Sequence, residues 1–166
     1  MRCIDITYPD VNNGLGCRVT VWIAGCSHHC KGCQNMESWN YDIGMDMKCA
    51  KEKIYQYLEH DYIKGVTFSG GDPLSQTDTS LNELSQLIDD IRKDFPNKDI
   101  WMYTGYSLTE CFRNPLKRAI IEKVDYLVDG EFKQNLRDTS LAFRGSSNQI
   151  IWENHNGVFI HSTLND

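Results

Sequence analysis

The sequence has 166 residues, enough for one domain with one buried core, and at 40% hydrophobic and 24% charged residues its composition is that of a globular protein. A formal net charge of -6 without a basic stripe argues against nucleic acid as a partner. No apolar run is long enough for a bilayer span or shaped as a secretion leader, so no membrane partner and a cytoplasmic location are expected.

In chain order, RCIDITYP (residues 2–9) alternates as a strand, DVNNGLG breaks it, and RVTVWIAG (18–25) has the β-branched and aromatic content of a buried strand. GCSHHCKGC (25–33) follows directly, with Cys26, Cys30 and Cys33 spaced C-x-x-x-C-x-x-C. Seven cysteines, an odd count, favour metal or redox chemistry over a disulfide framework. In a loop, these three sulfurs turn toward one centre. Three thiolates suit three irons of a [4Fe–4S] cluster, whereas a closed zinc site needs four donors. Zinc would have to borrow His28 or His29, which otherwise read as solvated or hydrogen-bonded loop residues. Cys3, Cys17, Cys49 and Cys111 are scattered and read as buried or inert thiols.

CAKEKIYQYLEHDY (49–62) sets Ile54, Tyr57, Leu58 and Tyr62 at helical spacing, and GVTFSGGDP (65–73) is a short strand running into paired glycines. SLNELSQLIDDIRKDF (80–95) predicts a helix burying Leu81, Leu84, Leu87, Ile88 and Ile91, capped by Ser80 with Glu83 completing a capping box. DIWMYTGY predicts a strand, PLKRAIIEK a helix, and VDYLVDGEF another strand. NQIIWENHNGVFIH predicts a terminal hairpin turning at Asn156-Gly157, a pair that tolerates positive φ. The alternation predicts an α/β fold over residues 1–166: a single domain with a mainly parallel sheet and flanking helices, open or partly curled, too short for a complete eight-strand barrel. Gly70 and Gly71 sit at a strand end, where parallel sheets meet ligands, although an ordinary turn also explains them.

The cysteine loop after one strand and the glycine pair of FSGGDPL after the next resemble the ordered signature of radical S-adenosylmethionine (SAM) enzymes. NGLG, GCSHHCKGCQNMESW, SGGDPL, WMYTGY, YLVDGEF and FRGSSNQ further resemble successive blocks of the activating proteins of anaerobic (class III) ribonucleoside-triphosphate reductases, from Asn13 to Gln149. This resemblance implies a partial, open (βα) barrel. It implies a [4Fe–4S] cluster on Cys26, Cys30 and Cys33, catalytic through the cluster, whose fourth iron binds the amino and carboxylate groups of SAM. Reduction then cleaves SAM to methionine and a 5′-deoxyadenosyl radical, which installs a glycyl radical on the reductase large subunit. The electron comes from an external low-potential donor, flavodoxin-like or other.

For SAM, the resemblance implies backbone contacts at Gly70 and Gly71 to the methionine portion, Asp72 at the ammonium group, Thr104 of YTGY near the ribose, a segment that aromatic core packing explains equally well, and Gly32, Cys33 and Gln34 at the adenine. Two positions depart from the broad superfamily: Gly32 replaces an aromatic residue and Asp72 a glutamate. Arg144 to Gln149 reads as a loop facing SAM or the partner, and Asn13 to Gly16 as a lip or a simple hairpin turn. Three alternatives stay open: an activase of the pyruvate formate-lyase type, a small-molecule radical SAM enzyme of the deazapurine synthase type, and a zinc-binding interaction module.

Overall fold

The computed structural model describes residues 1–166. β1 (Arg2–Asp10) and β2 (Cys17–Ile23) form an antiparallel hairpin, and β3 (Met45–Asp46) leads into α1 (Met47–Leu58). There follow β4 (Ile63–Gly70), α2 (Asp78–Asp94), β5 (Asp99–Tyr103), α3 (Leu108–Arg113), α4 (Pro115–Ile121), β6 (Tyr126–Asp129), β7 (Ile150–His155) and β8 (Val158–His161). All eight strands join one mixed sheet in the order β3-β1-β2-β4-β5-β6-β7-β8. Only three of its seven pairings, β2 with β4, β4 with β5 and β5 with β6, are parallel. The expected mainly parallel sheet is therefore corrected to a parallel centre with antiparallel flanks. Short links such as Asn156-Gly157, both at positive φ, place consecutive strands side by side in opposite directions.

Alternation along the strands gives the sheet two buried faces. Val19, Val21 and Ile23, Val66 and Phe68, Ile100 and Met102, and Leu127 pack with helix residues such as Ile54, Leu84, Ile88 and Ile120 in the main core. The opposite face carries Arg18, Thr67 and Trp101, all fully buried, with Val128 and Ile151. Arg18 donates to Thr67 Oγ1 (2.7 Å), Leu15 O (3.0 Å) and Val66 O (2.9 Å), and its Nη1 lies 2.6 Å from Asp99 Oδ1 as a close ion contact. Burial pushes the Arg18 pKa down and the Asp99 pKa up, each opposed by the other's charge. Thr67 in turn donates to Asn13 O (2.7 Å), so the Asn13 to Gly16 segment is tied down by buried groups.

The helices differ from expectation at their ends. α1 stops at Leu58, because residues 59–62 turn the chain into β4, and Tyr62 is left 57% exposed. In α2 the expected apolar face is buried throughout, but the cap is Thr77, whose side chain accepts from Ser80 N. Glu83 instead meets the N-terminal ammonium group of Met1. The sequence reading missed α3, which opens with a capping box of Ser107 and Glu110. No helix is long and apolar enough to cross a membrane.

Candidate functional site

The parallel strands β2, β4, β5 and β6 end along one edge of the sheet, and the segments leaving them meet there. Cys26, Cys30 and Cys33 line a single cavity with Gly70, Gly71 and Asp72 at the end of β4, Tyr103 and Thr104 at the end of β5, and Gly130 and Phe132 after β6. Trp39 and Gln149 complete much of the wall. This is the edge at which parallel α/β sheets bind ligands.

Backbone contacts hold the cysteine loop to that edge. Gly25, at φ +101°, donates to Ser38 O (2.7 Å) and accepts from Asp72 N (2.8 Å), while Gly71 N donates to Ile23 O (2.7 Å). A Cβ added at Gly71 would lie within 3.0 Å of Gly25 O, Gly25 C and Ser38 O, and one at Gly70 would meet the backbone of Trp22 and Ile23 as closely. Both glycines are thus required by the protein's own chain, whatever ligand approaches them. Further along, Cys33 N donates to Cys30 O (3.1 Å), and Asn35 N donates to Cys33 Sγ (3.4 Å). His29, at φ +49°, packs its ring 4.5 Å from that of Trp39.

The donor set suits a cluster. The three cysteines are free thiols around one space, and no group of three or more His, Cys, Asp or Glu side chains is arranged to hold a single ion. A cluster takes each cysteine on a separate iron and needs no convergence on one ion, whereas a closed zinc site needs four donors about 2.0–2.3 Å from the metal. Burial pushes the Cys26 thiol up to about 11 and raises that of Cys30, so these protons leave when metal replaces them. Cys3 and Cys111 are buried in the main core, Cys17 is half-buried, Cys49 is exposed, and none of the four lines the cavity.

Asp72 is the most connected polar group of the site and is 1% exposed. Leu74 N donates to its Oδ1 (2.8 Å), Gly105 N to its Oδ2 (2.8 Å), and the Thr104 hydroxyl to both oxygens (3.0 Å each). His28 Nε2 lies 2.8 Å from Oδ2, and this hydrogen bond raises the His28 pKa against the opposing effect of burial. His28 therefore belongs to the site, where the sequence reading offered it either as a donor borrowed by zinc or as a solvated or hydrogen-bonded loop residue.

Gly32 and Gln34 are not among the residues lining the cysteine cavity. Gly32 faces the Gln134 side chain, and Gln34 lines a separate cavity with Asn13, Phe143 and Arg144, for which Tyr103 forms a shared wall. The aromatic rings that do reach the cysteine cavity, Trp39, Tyr103 and Phe132, include two that the sequence reading gave no role. Trp39 and Phe132 lie within the quoted blocks, but no spacing marks them. The Arg144 to Gln149 loop is built into the wall: Gln149 Oε1 accepts from Gly145 N (2.9 Å) and Ser146 N (3.1 Å), and Gln149 Nε2 donates to Gly130 O (2.9 Å).

Comparison with known proteins shows the family of the chain. The family described as a 4Fe-4S single cluster domain matches residues 12–152. An anaerobic ribonucleoside-triphosphate reductase-activating protein of Pasteurella multocida (strain Pm70) is 40% identical over 149 residues, which is 87% of this chain and 93% of that protein. Proteins of the same description from Enterobacteria phage T4 and Escherichia coli (strain K12) are 39% identical over 160 residues and 40% identical over 148 residues. The phage protein matches over 95% of this chain and 97% of its own length, and the E. coli protein over 87% and 94%.

Proposed function

Because the chain belongs to the family of anaerobic ribonucleoside-triphosphate reductase-activating proteins, carrying its 4Fe-4S domain, we propose that it is a radical SAM enzyme that installs a glycyl radical on the large subunit of such a reductase. The observation that carries this reading is the grouping of Cys26, Cys30 and Cys33 with Gly70, Gly71, Asp72 and Thr104 around one cavity at the ends of the parallel strands. We read residues 1–166 as one radical SAM domain whose sheet is a partial (βα) barrel. The buried second face, with Arg18, Thr67 and Trp101, supports that reading.

Cys26, Cys30 and Cys33 would hold the [4Fe–4S] cluster, and with only three protein ligands it would keep an open position for SAM. When bound, the cluster supplies the electron that breaks a carbon–sulfur bond of SAM, giving methionine and a 5′-deoxyadenosyl radical that takes a hydrogen atom from the acceptor glycine. An external low-potential donor, flavodoxin-like or other, replaces that electron. The chain's own residues bind and orient. Asn35 N–H donates to the Cys33 sulfur, and hydrogen bonds to a cluster's sulfurs are among the features that set its potential. Gly70 and Gly71 bring the strand end flush with the cysteine loop, and Thr104 and Gly105 fix the Asp72 carboxylate beside it. Trp39, Tyr103 and Phe132 offer apolar faces for the adenosyl group.

Reduced under anaerobic conditions with dithionite, the protein is expected to convert SAM to methionine and 5′-deoxyadenosine in equal amounts, slowly in the absence of a partner. Unchanged SAM after reduction of a fully loaded cluster would refute the enzymatic reading. Consumption of a deazapurine precursor together with SAM would instead favour the small-molecule alternative.

A further inference from the structure

His28 stands between Cys26 and Cys30 and joins the cysteine loop to the ends of three strands. Its Nε2 lies 2.8 Å from Asp72 Oδ2 beyond β4, and its Nδ1 lies 2.9 Å from Glu131 Oε1 beyond β6. Its ring meets Tyr106, beyond β5, edge-on at 4.5 Å. Only 10% of the side chain is exposed, and a Cβ added at Gly105 would fall within 3.0 Å of the ring, so the turn after β5 leaves room for the imidazole and little else.

An ionised carboxylate accepts about four hydrogen bonds. Leu74 N–H, Thr104 O–H, Gly105 N–H and the His28 ring already supply that number to Asp72. We propose that His28 is a positioning residue for SAM: it braces Asp72 from within the cysteine loop and, through Glu131, ties the Cys26 to Cys30 span to the turn after β6. Asp72 then acts by holding the loop and the Thr104-Gly105 turn in register, and its carboxylate is not the partner of the SAM ammonium group. This assignment rests on the SAM reading above.

The test is a SAM titration followed by the electron paramagnetic resonance signal of the reduced cluster, in samples frozen on mixing so that binding is read ahead of the slow cleavage, with iron content measured on the same samples. His28→Ala is expected to keep the wild-type iron content, because the three cysteines are untouched, and to need about 10- to 100-fold more SAM for the same spectral change, the usual cost of losing a group that orients a metal site. His28→Gln places an amide nitrogen near the position of Nε2 and is expected to restore most of the affinity. Glu131→Gln should weaken SAM binding in wild type and add nothing in the His28→Ala background, as coupled members of one chain do. A His28→Ala protein that titrates like wild type overturns the assignment, and so does one that loses its iron. A wild-type signal that SAM leaves unchanged would instead sink the SAM reading, and this assignment with it.

Discussion

Cys30→Ala protein, purified and reconstituted without oxygen, is expected to be colourless and to cleave no SAM above background, whereas the unsubstituted protein is brown with about four irons per chain. Cys26→Ala and Cys33→Ala should behave alike, since each sulfur borders the same cavity and no fourth cysteine lies among its lining residues. The other four cysteines form the contrast. Cys3→Ala and Cys111→Ala remove sulfur from the main core and should cost about 1 kcal/mol of stability each, as small buried deletions do, while keeping the full iron content. Cys17→Ala and Cys49→Ala, at half-buried and exposed positions, should change neither quantity appreciably. Iron analysis against denaturant unfolding separates the two classes, and a colourless Cys111→Ala protein that folds normally would contradict the ligand assignment.

Gly71→Ala is expected to lose the cluster as well as SAM binding. The added carbon would press on Gly25 O, the atom that accepts the Asp72 N–H, and on Ser38 O, which accepts the Gly25 N–H. All these atoms are backbone, so relief requires the segment just before Cys26 to move off the sheet edge. Overpacking of this kind costs on the order of 3 kcal/mol, and here the strain falls on the loop that presents the thiolates. Gly157→Ala provides the comparison, because a Cβ there meets nothing within 4 Å and only its φ of +87° is unfavourable. That change should cost about 1 kcal/mol and leave every iron in place. A Gly71→Ala protein with full iron and wild-type SAM affinity would show that the close approach of the two turns is dispensable.

The grouping of Cys26, Cys30 and Cys33 around one cavity was legible because their spacing is local: three cysteines within nine residues need no knowledge of the fold. The α2 face from Leu81 to Ile91 and the Asn156-Gly157 turn were legible for the same reason, through 3.6-residue periodicity and positive-φ chemistry. The cap of α2 was not. SQTDTS offers several residues able to cap a helix, and only packing selects Thr77. Nor could spacing pair His28 with Asp72, 44 residues away, or Arg18 with Asp99, because side chains that meet across strand ends leave no periodic trace. The alternation of helices and strands announced the parallel centre of the sheet. It did not show how the outer strands join that centre: β7, whose hairpin with β8 was expected, pairs antiparallel with β6, and β1 pairs antiparallel with both β2 and β3, all without a crossover helix.

Radical transfer from this chain to a glycine of an anaerobic reductase is read by mixing the reduced, cluster-loaded protein with SAM and the large subunit of a ribonucleoside-triphosphate reductase from the same source, and recording the electron paramagnetic resonance spectrum. The account predicts a glycyl-radical doublet that requires all three components and is absent when the acceptor glycine of the reductase is replaced by alanine. SAM cleavage without any protein radical, in a mixture where the reductase is intact and bound, would contradict it.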